Sequence, residues 1–377
     1  MKNGIAKRGN RWAYIIRIPD PVTGKNKNKW VSGFQSETEA KLARDKARGR
    51  LANGTYIKPT KITVGDYLNE WIEIHSHSLK KSTAQSYKGH IQRNLIPYIG
   101  KFALSDLRAM HIQRLYVDLR SKGNAAGNPL SARSVEFAGA VLSKALKHAV
   151  EIDELISTNP ATRVSKPRGK SKQVEPFSVL EATRFLEATK THRLHPFFRL
   201  AFYSGARKGE LLALRWSDLD STQNTISISK NRIRITGSYF EQDSTKGGEG
   251  RRIVTLDSGT LETLRLLRKI QMEQRLQAGG LWVEGGYIFT DELGLPLSYD
   301  LPSRTFQKIC KELGLPSQRF HDCRHFHATQ LLRSGLPLHV VARRLGHRDP
   351  MVTASIYAHV TSDQAENAST IFAEVMM

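Results

Sequence analysis

The segment HDCRHFHAT (residues 321–329) constrains the fold and chemistry of this chain more than any other stretch. In a helix, residues three apart lie on the same face and residues two apart lie on different faces. His321 and Arg324 therefore share one face. Cys323 and His327 then fall on a different face, which disfavours a metal site built from the His and Cys side chains. An arginine beside a histidine instead suits a bound anion such as phosphate. The segment therefore predicts a helix with a cationic face, and metal binding is the minor alternative.

Three further strings in the second half of the chain supply the other chemical groups. They are SGARKGELLAL (204–214), STKGGEGRRIV (244–254) and LGHRDPMVTASIYAH (345–359). Together with the first, they offer arginine, lysine, histidine and tyrosine, a set that suits attack of a tyrosine hydroxyl on a phosphodiester. Guanidiniums can stabilise charge on the non-bridging oxygens, a histidine can accept the phenol proton, and a lysine can protonate the leaving 5′-oxygen. This chemistry needs no metal and no other cofactor.

The four strings resemble the signature of the tyrosine recombinase, or phage integrase, family. That signature reads Arg, Lys, His-x-x-Arg, His or Trp, and Tyr, in this order. Glu210 matches the acidic residue that supports the first arginine, and Cys323 departs from the leucine that often precedes the second. The matched positions in this chain are Arg207, Lys246, His321, Arg324, His347 and Tyr357.

The resemblance implies a role for each matched residue. Lys246 is assigned from its position before the paired arginines of the following strand. The implied roles are phosphate binding by Arg207 and Arg324, general acid catalysis by Lys246, proton transfer by His321, hydrogen bonding to the phosphate by His347, and nucleophilic attack by Tyr357.

The charge of the chain points to a polyanionic partner. The 377 residues include 58 Lys and Arg against 35 Asp and Glu, which gives a net charge of +23. Residues 1–62 hold 15 of the cations and 4 of the acids, and residues 63–173 hold 17 and 9. No basic amphipathic helix with an aromatic face stands out, so double-stranded DNA is favoured over an anionic membrane. No apolar run approaches 18 residues, and two cysteines cannot form a disulfide framework, so we expect a bacterial cytoplasmic, nucleoid-associated protein.

The residue patterns predict a multidomain α+β protein that begins with a small sheet and a helix. Within residues 1–58, the β-rich runs 11–18 and 29–34 precede a capping box of Ser36 and Glu39 that opens a helix. Residues 63–165 show helical periodicity and predict an all-α segment with basic faces. The Lys-rich residues 166–173 predict an extended linker.

Residues 174–377 predict a mostly helical domain with a small antiparallel sheet. We expect two helices between Phe197 and Leu219, broken at Ser204-Gly205. The runs 238–245 and 251–256 are predicted to pair with each other as a hairpin. A last helix is predicted over 362–377, and its apolar stripe packs either on its own domain or on a neighbouring protomer.

The resemblance extends to these segments. Residues 1–58 are similar to the arm-type DNA-binding domain of integrases from phages and conjugative elements, and residues 63–165 to their core-binding domain. It implies site-specific recombination through a 3′-phosphotyrosyl link and a Holliday junction in a homotetramer, with possible directionality and host DNA-bending factors. A DNA-binding regulator and a type IB topoisomerase are the alternatives. The filled signature disfavours the first, and the basic N-terminal segment disfavours the second.

Overall fold

The computed structural model describes residues 4–19, 26–52, 61–124, 126–167, 177–235, 237–243 and 251–347, with Met351, Ala354, Phe372, Ala373 and Met376. Lys246, Tyr357, most of the predicted linker at 166–173 and most of the predicted tail helix at 362–377 lie outside the described residues. The chain divides into two compact units, residues 1–171 and 172–377. The predicted multidomain α+β class is confirmed. No helix among the described residues could cross a membrane.

An antiparallel sheet and one helix form the N-terminal part of the first unit. The elements are β1 (Ile5–Arg8), β2 (Arg11–Pro19), β3 (Asn26–Phe34) and α1 (Glu37–Ala52), with β2 in the centre of the sheet. The helix packs on the face that carries Tyr14 and Ile16. Ser36 caps the helix as predicted, because its Oγ accepts the Glu39 amide at 3.1 Å. The sequence pattern missed β1, which has only four residues.

Helices alone build the second part of the first unit. They are α2 (Val64–Ser76), α3 (Lys81–His90), α4 (Ile96–Ile99), α5 (Ala109–Ser121) and α6 (Ala132–Glu151), with one π-helical turn over Ile91–Leu95. Thr63 and Ser131 cap α2 and α6 through their side-chain oxygens, which satisfies backbone amides that a helix start leaves unpaired. The helices enclose an apolar core that includes Leu68, Leu95 and Leu115. This part confirms the predicted all-α segment.

The second unit surrounds a phenylalanine-rich core. Its helices are α7 (Val179–Ala188), α8 (His195–Ser204), α9 (Lys208–Leu211), α10 (Ser258–Ala278), α11 (Leu301–Glu312), α12 (Asp322–Arg333) and α13 (Leu338–Leu345). The predicted break at Ser204-Gly205 is present. The predicted second helix is much shorter than expected, because the chain leaves helical geometry after Leu211 and buries Leu212 and Leu214 as a loop.

Two small antiparallel sheets complete the second unit. The strands are β4 (Leu219–Asp220), β5 (Thr225–Ile228), β6 (Lys230–Ile235), β7 (Ser238–Asp243) and β8 (Arg252–Thr255). β8 pairs with β5, and β7 pairs with β6, so the predicted hairpin of 238–245 with 251–256 is wrong. Gly237, at φ +84°, allows a tight turn directly between β6 and β7. Ile226 pairs with Val254, and both side chains enter the core.

Candidate active site

A left-handed turn between α8 and α9 places the first candidate arginine. Gly205 ends α8 at φ +63°, and a Cβ there would lie 2.7 Å from His327 Cδ2. Only glycine combines this backbone geometry with so close an approach. Arg207 follows as the N-cap of α9, and its side chain is 37% exposed. The turn itself is therefore tightly packed, while the Arg207 guanidinium that follows it reaches the surface.

Glu210 holds Arg207 from behind. Its Oε1 accepts from Arg207 Nη1 at 2.9 Å, and its Oε2 accepts from the Arg207 amide at 2.9 Å. Arg252, on β8, donates to the same carboxylate with Nη2 at 2.7 Å and Nη1 at 3.2 Å. Burial opposes ionisation of this 1% exposed carboxyl, but the Arg252 and Arg207 contacts outweigh it and lower the pKa of Glu210. The ionised carboxylate thus fixes the orientation of Arg207.

Arg324 lies on the first turn of α12 and is 3% exposed. Its Nη1 donates to the Gly205 carbonyl and its Nη2 to the Leu345 carbonyl, both at 2.7 Å. These bonds fix the plane of the guanidinium. They also connect α12 to the turn that carries Arg207. The structure therefore brings the two candidate arginines to the same place.

The two candidate histidines border these arginines. The pKa of His347 is lowered to about 4. Burial is the largest cause, and the positive charges of Arg324, Arg207 and Arg252 add to it. The pKa of His321, the N-cap of α12, is also lowered to about 4, by burial and then by His325 and Arg324. The His321 side chain still reaches solvent. Both imidazoles are therefore neutral at pH 7, so each can either accept a proton or donate one hydrogen bond.

Three further residues support the site, and sequence reasoning did not predict this role for them. Arg344 donates through Nε to His327 Nε2 at 3.0 Å, and His327 Nδ1 lies 2.9 Å from the Phe202 carbonyl. Arg252 also donates through Nε to the Arg344 carbonyl at 2.8 Å. A signal for Arg252 was present, because a residue two positions from Val254 in a strand lies on the same inward-facing side.

The described part of the site can bind and stabilise a phosphate. Arg207 and Arg324, both held by hydrogen bonds, come together with the neutral His321 and His347, whereas Lys246 and Tyr357 lie outside the described residues. Fixed guanidiniums act on developing phosphoryl charge without having to reorganise during the reaction. This arrangement is typical of an enzyme that catalyses phosphoryl transfer and whose substrate is a polyanion.

Comparison with known families agrees with this class. The phage integrase family profile matches residues 175–364, the profile of the phage integrase N-terminal SAM-like domain matches residues 63–119, and the arm DNA-binding domain profile matches residues 3–47. A XerC-like tyrosine recombinase of Caldanaerobacter subterraneus is 30% identical, with 97% of each chain covered. The ICEBs1 integrase of Bacillus subtilis is 28% identical, with 90% of each chain covered.

Solved structures show the same fold. The Tn1549 transposon integrase in complex with circular intermediate DNA matches with a TM-score of 0.70 at 19% identity, over 82% of this chain and 99% of that chain. The lambda integrase tetramer bound to a Holliday junction matches with a TM-score of 0.59 at 19% identity, over 94% of each chain. This chain belongs to the phage integrase family and is a site-specific tyrosine recombinase.

Proposed function

We propose that this protein integrates and excises a phage or another mobile element by cutting and rejoining double-stranded DNA at attachment sites. The convergence of Arg207, Arg324, His321 and His347 on one anchored surface carries this proposal. A protein that only binds DNA has no need for two oriented guanidiniums, one of them buried, beside neutral imidazoles. The family membership and the relatives named as integrases support the same activity.

In the proposed reaction, Tyr357 attacks the scissile phosphorus. The bond from phosphorus to the 5′-oxygen breaks as the bond to the phenol oxygen forms, which leaves a 3′-phosphotyrosyl link. The phenol proton passes to His321, and Lys246 protonates the leaving 5′-oxygen. Because the link retains the phosphodiester energy, the 5′-hydroxyl of a partner strand can reseal it. Two such exchanges, through a Holliday junction in a homotetramer, complete recombination.

The described residues have matching roles in this step. Arg207 and Arg324 contact the non-bridging oxygens, and Glu210 keeps Arg207 in place. A neutral His321 is able to take a proton, which an imidazolium is not. A neutral His347 donates one N–H to the phosphate. Phosphate binding should raise the pKa of both histidines, because an anion favours the protonated form.

The N-terminal segments are proposed to hold the DNA. Residues 1–58 act as the arm-type DNA-binding domain, and residues 63–165 as the core-binding domain. Residues 166–173 link them to a catalytic domain over 174–377. In β2, residues alternate between the two faces of the sheet, so Arg17 lies opposite the face that packs on α1. A sheet face of this kind fits the major groove. Directionality factors and host DNA-bending proteins are further proposed partners, in the bacterial nucleoid.

The decisive experiment traps the covalent intermediate. We expect the protein, incubated with fragmented genomic DNA, to become linked to a small set of sequences that denaturing purification and sequencing identify. Tyr357→Phe removes only the hydroxyl, so it should still bind duplex DNA while forming no adduct. An adduct that survives in the Phe variant would remove Tyr357 from its role. Nicking and relaxation of DNA without strand exchange would instead favour a topoisomerase.

A further inference from the structure

The hairpin of β6 and β7 lies directly against the helix that presents Arg207. Gly209, on α9, has no Cβ, and a Cβ there would lie 2.1 Å from Asn231 Oδ1 and 2.4 Å from the Arg232 carbonyl. Gly209 does not have a positive φ, so the close approach alone requires glycine at this position. The backbone of β6 therefore touches α9 next to Glu210.

Helix α9 depends on such neighbours for its position. It has only four residues, and a single helical turn has almost no stability of its own. Arg252 fixes α9 through Glu210. The hairpin contacts it at Gly209. Any movement of the hairpin is therefore transmitted to the backbone that carries Arg207.

Among the described strands, the hairpin shares no sheet with any other. Besides the chain itself, side-chain contacts attach it to the domain, and they include Arg234 with Asp300 and Tyr239 with Ser298. Glu241, on β7, forms a further attachment, which we call the Glu241 anchor together with Arg215 and Tyr287. Arg215 Nη2 donates to Glu241 Oε2 at 3.1 Å and to Tyr287 Oη at 3.0 Å, and the Tyr287 hydroxyl donates to Glu241 Oε1. Burial, and then Glu241, raise the pKa of Tyr287, so this hydroxyl stays protonated.

The anchor also holds the other strand of the hairpin. Arg232, on β6, is 7% exposed, and its guanidinium carbon lies 4.6 Å from the Tyr239 ring centroid and 5.9 Å from that of Tyr287. Arg232 contributes the carbonyl that approaches Gly209. A continuous path of contacts therefore leads from Glu241 through Tyr287 and Arg232 to α9.

We propose that Glu241 is a positioning residue for DNA cleavage, which holds the β6–β7 hairpin on α9 and thereby sets the position of the Arg207 guanidinium. Glu241 contacts neither DNA nor the nucleophile in this role, and it acts through Arg207. The proposal rests on the phosphate-binding role that the proposed function gives to Arg207. Because a displacement of about 1 Å can cost roughly 10²-fold in rate, loss of the anchor should be visible in catalysis.

The test is a double-mutant cycle on single-turnover cleavage at saturating DNA. The four proteins are wild type, Glu241→Gln, Arg207→Ala and the double variant, and the substrate is a nicked duplex that traps the covalent adduct. We expect Glu241→Gln to lower the cleavage rate constant about 10- to 100-fold, with an unchanged Kd for the duplex. In the Arg207→Ala background, the same substitution should have almost no further effect.

The possible results separate this inference from the proposed function. Equal losses on Glu241→Gln in both backgrounds would overturn the positioning role, and so would an unchanged rate in the wild-type background. An unchanged rate in Arg207→Ala itself would overturn the proposed role of Arg207 instead. Asp243→Asn is the matched control, because Asp243 lies on the same strand and is 66% exposed. We expect its rate to stay within about twofold of wild type.

A second variant keeps the test valid if Glu241→Gln does not fold. Tyr287→Phe removes the hydrogen bond from the hydroxyl to Glu241 and the one that the hydroxyl accepts from Arg215, but it keeps the direct bond between Arg215 and Glu241. It should produce a smaller loss with the same dependence on Arg207. Thermal unfolding of each variant shows which proteins are folded. An additive loss in Tyr287→Phe would count against the inference in the same way.

Discussion

The helical part of the first unit and the second unit differ in where their charged side chains lie: on the surface in one, and partly in the interior in the other. Among the described residues of 61–167, and leaving aside the aromatic side chains, Asn94 is the one polar residue that is buried. The core there is apolar, and the many cations of this part lie at or near its surface. The second unit instead buries charged side chains among its described residues, and these are Glu210, Arg232, Arg252, Asp322 and Arg324.

This difference in the placement of charge suggests separate roles, DNA affinity for the exposed cations and catalysis for the buried ones. A solvated cation attracts any DNA segment, and salt screens this attraction. A buried, hydrogen-bonded guanidinium acts on one phosphate in a site with a low effective dielectric, where each charge has a larger effect. Removal of one partner from such a network also leaves an uncompensated buried charge. We therefore expect substitutions in the first region to change binding, and substitutions in the second to change rate.

The largest expected effect tests the two hydrogen-bonded arginines of the site, the buried Arg324 and the partly exposed Arg207. Arg207→Ala and Arg324→Ala should each slow cleavage by a factor of about 10²–10³, the usual loss for one preorganised charge donor. Duplex affinity should barely change, since other cations dominate binding. Arg265→Ala is the matched control, because Arg265 is 60% exposed on α10. A comparable loss of rate in the control would remove the distinction between the oriented arginines of the site and an exposed surface charge.

An intermediate effect concerns pH. The pKa of the buried His327 is lowered to about 4, against about 6.5 in an unfolded chain, by burial and then by Arg344. The unfolded state therefore binds more protons between these values, so stability is full above pH 6.5 and falls as the pH drops towards 4. This residue should remove about 1.4 kcal/mol of unfolding free energy per pH unit in that range.

Hydrogen exchange between pH 7 and pH 5 can follow the two regions separately. The amides of α12 should lose protection faster on acidification than those of α6. The loss should become shallower in His327→Gln, which does not titrate. A decline of equal slope in both regions, unaffected by this substitution, would contradict the assignment of acid sensitivity to His327.

The smallest expected effect concerns a single exposed cation of the N-terminal sheet. If Arg17 neutralises one phosphate, Arg17→Ala should reduce the log–log salt slope of arm-DNA binding by about 0.9. Cleavage of a short core duplex should not change. Lys41, exposed on α1, gives the control Lys41→Ala on the opposite side of this small domain. An equal change of slope in both variants would indicate a diffuse basic surface rather than a binding face.

Locally determined features were predicted well. The predicted cap at Ser36 was correct, because it depends on an oxygen and an amide three residues apart. Thr63 and Ser178 cap their helices by the same local contact. The family strings correctly indicated a tyrosine recombinase, and the structure brings Arg207 close to Arg324. The catalytic roles of all six matched residues, Lys246 and Tyr357 included, remain predictions.

Non-local features could not be derived from the pattern. The pairing of β8 with β5 instead of β7 depends on which apolar side chains reach the core, and alternation within a strand does not reveal its partner. Helix α9 is also shorter than predicted because of a non-local effect: burial of Leu212 and Leu214 outweighs the helical periodicity of the sequence. The bond between Arg252 and Glu210 joins residues 42 positions apart.

The bond from Arg324 to the Gly205 carbonyl spans 119 residues, and Arg324 is also held by Leu345, 21 residues further on. Contacts between such distant residues form only after the intervening chain has been made and folded. During translation, Arg207 leaves the ribosome well before the segments that fix its partners. An unfinished chain therefore carries the basic N-terminal segments without the contacts that join Arg324 to the turn before Arg207. We expect such a nascent chain to be unable to cleave DNA until nearly all of the second unit has been synthesised.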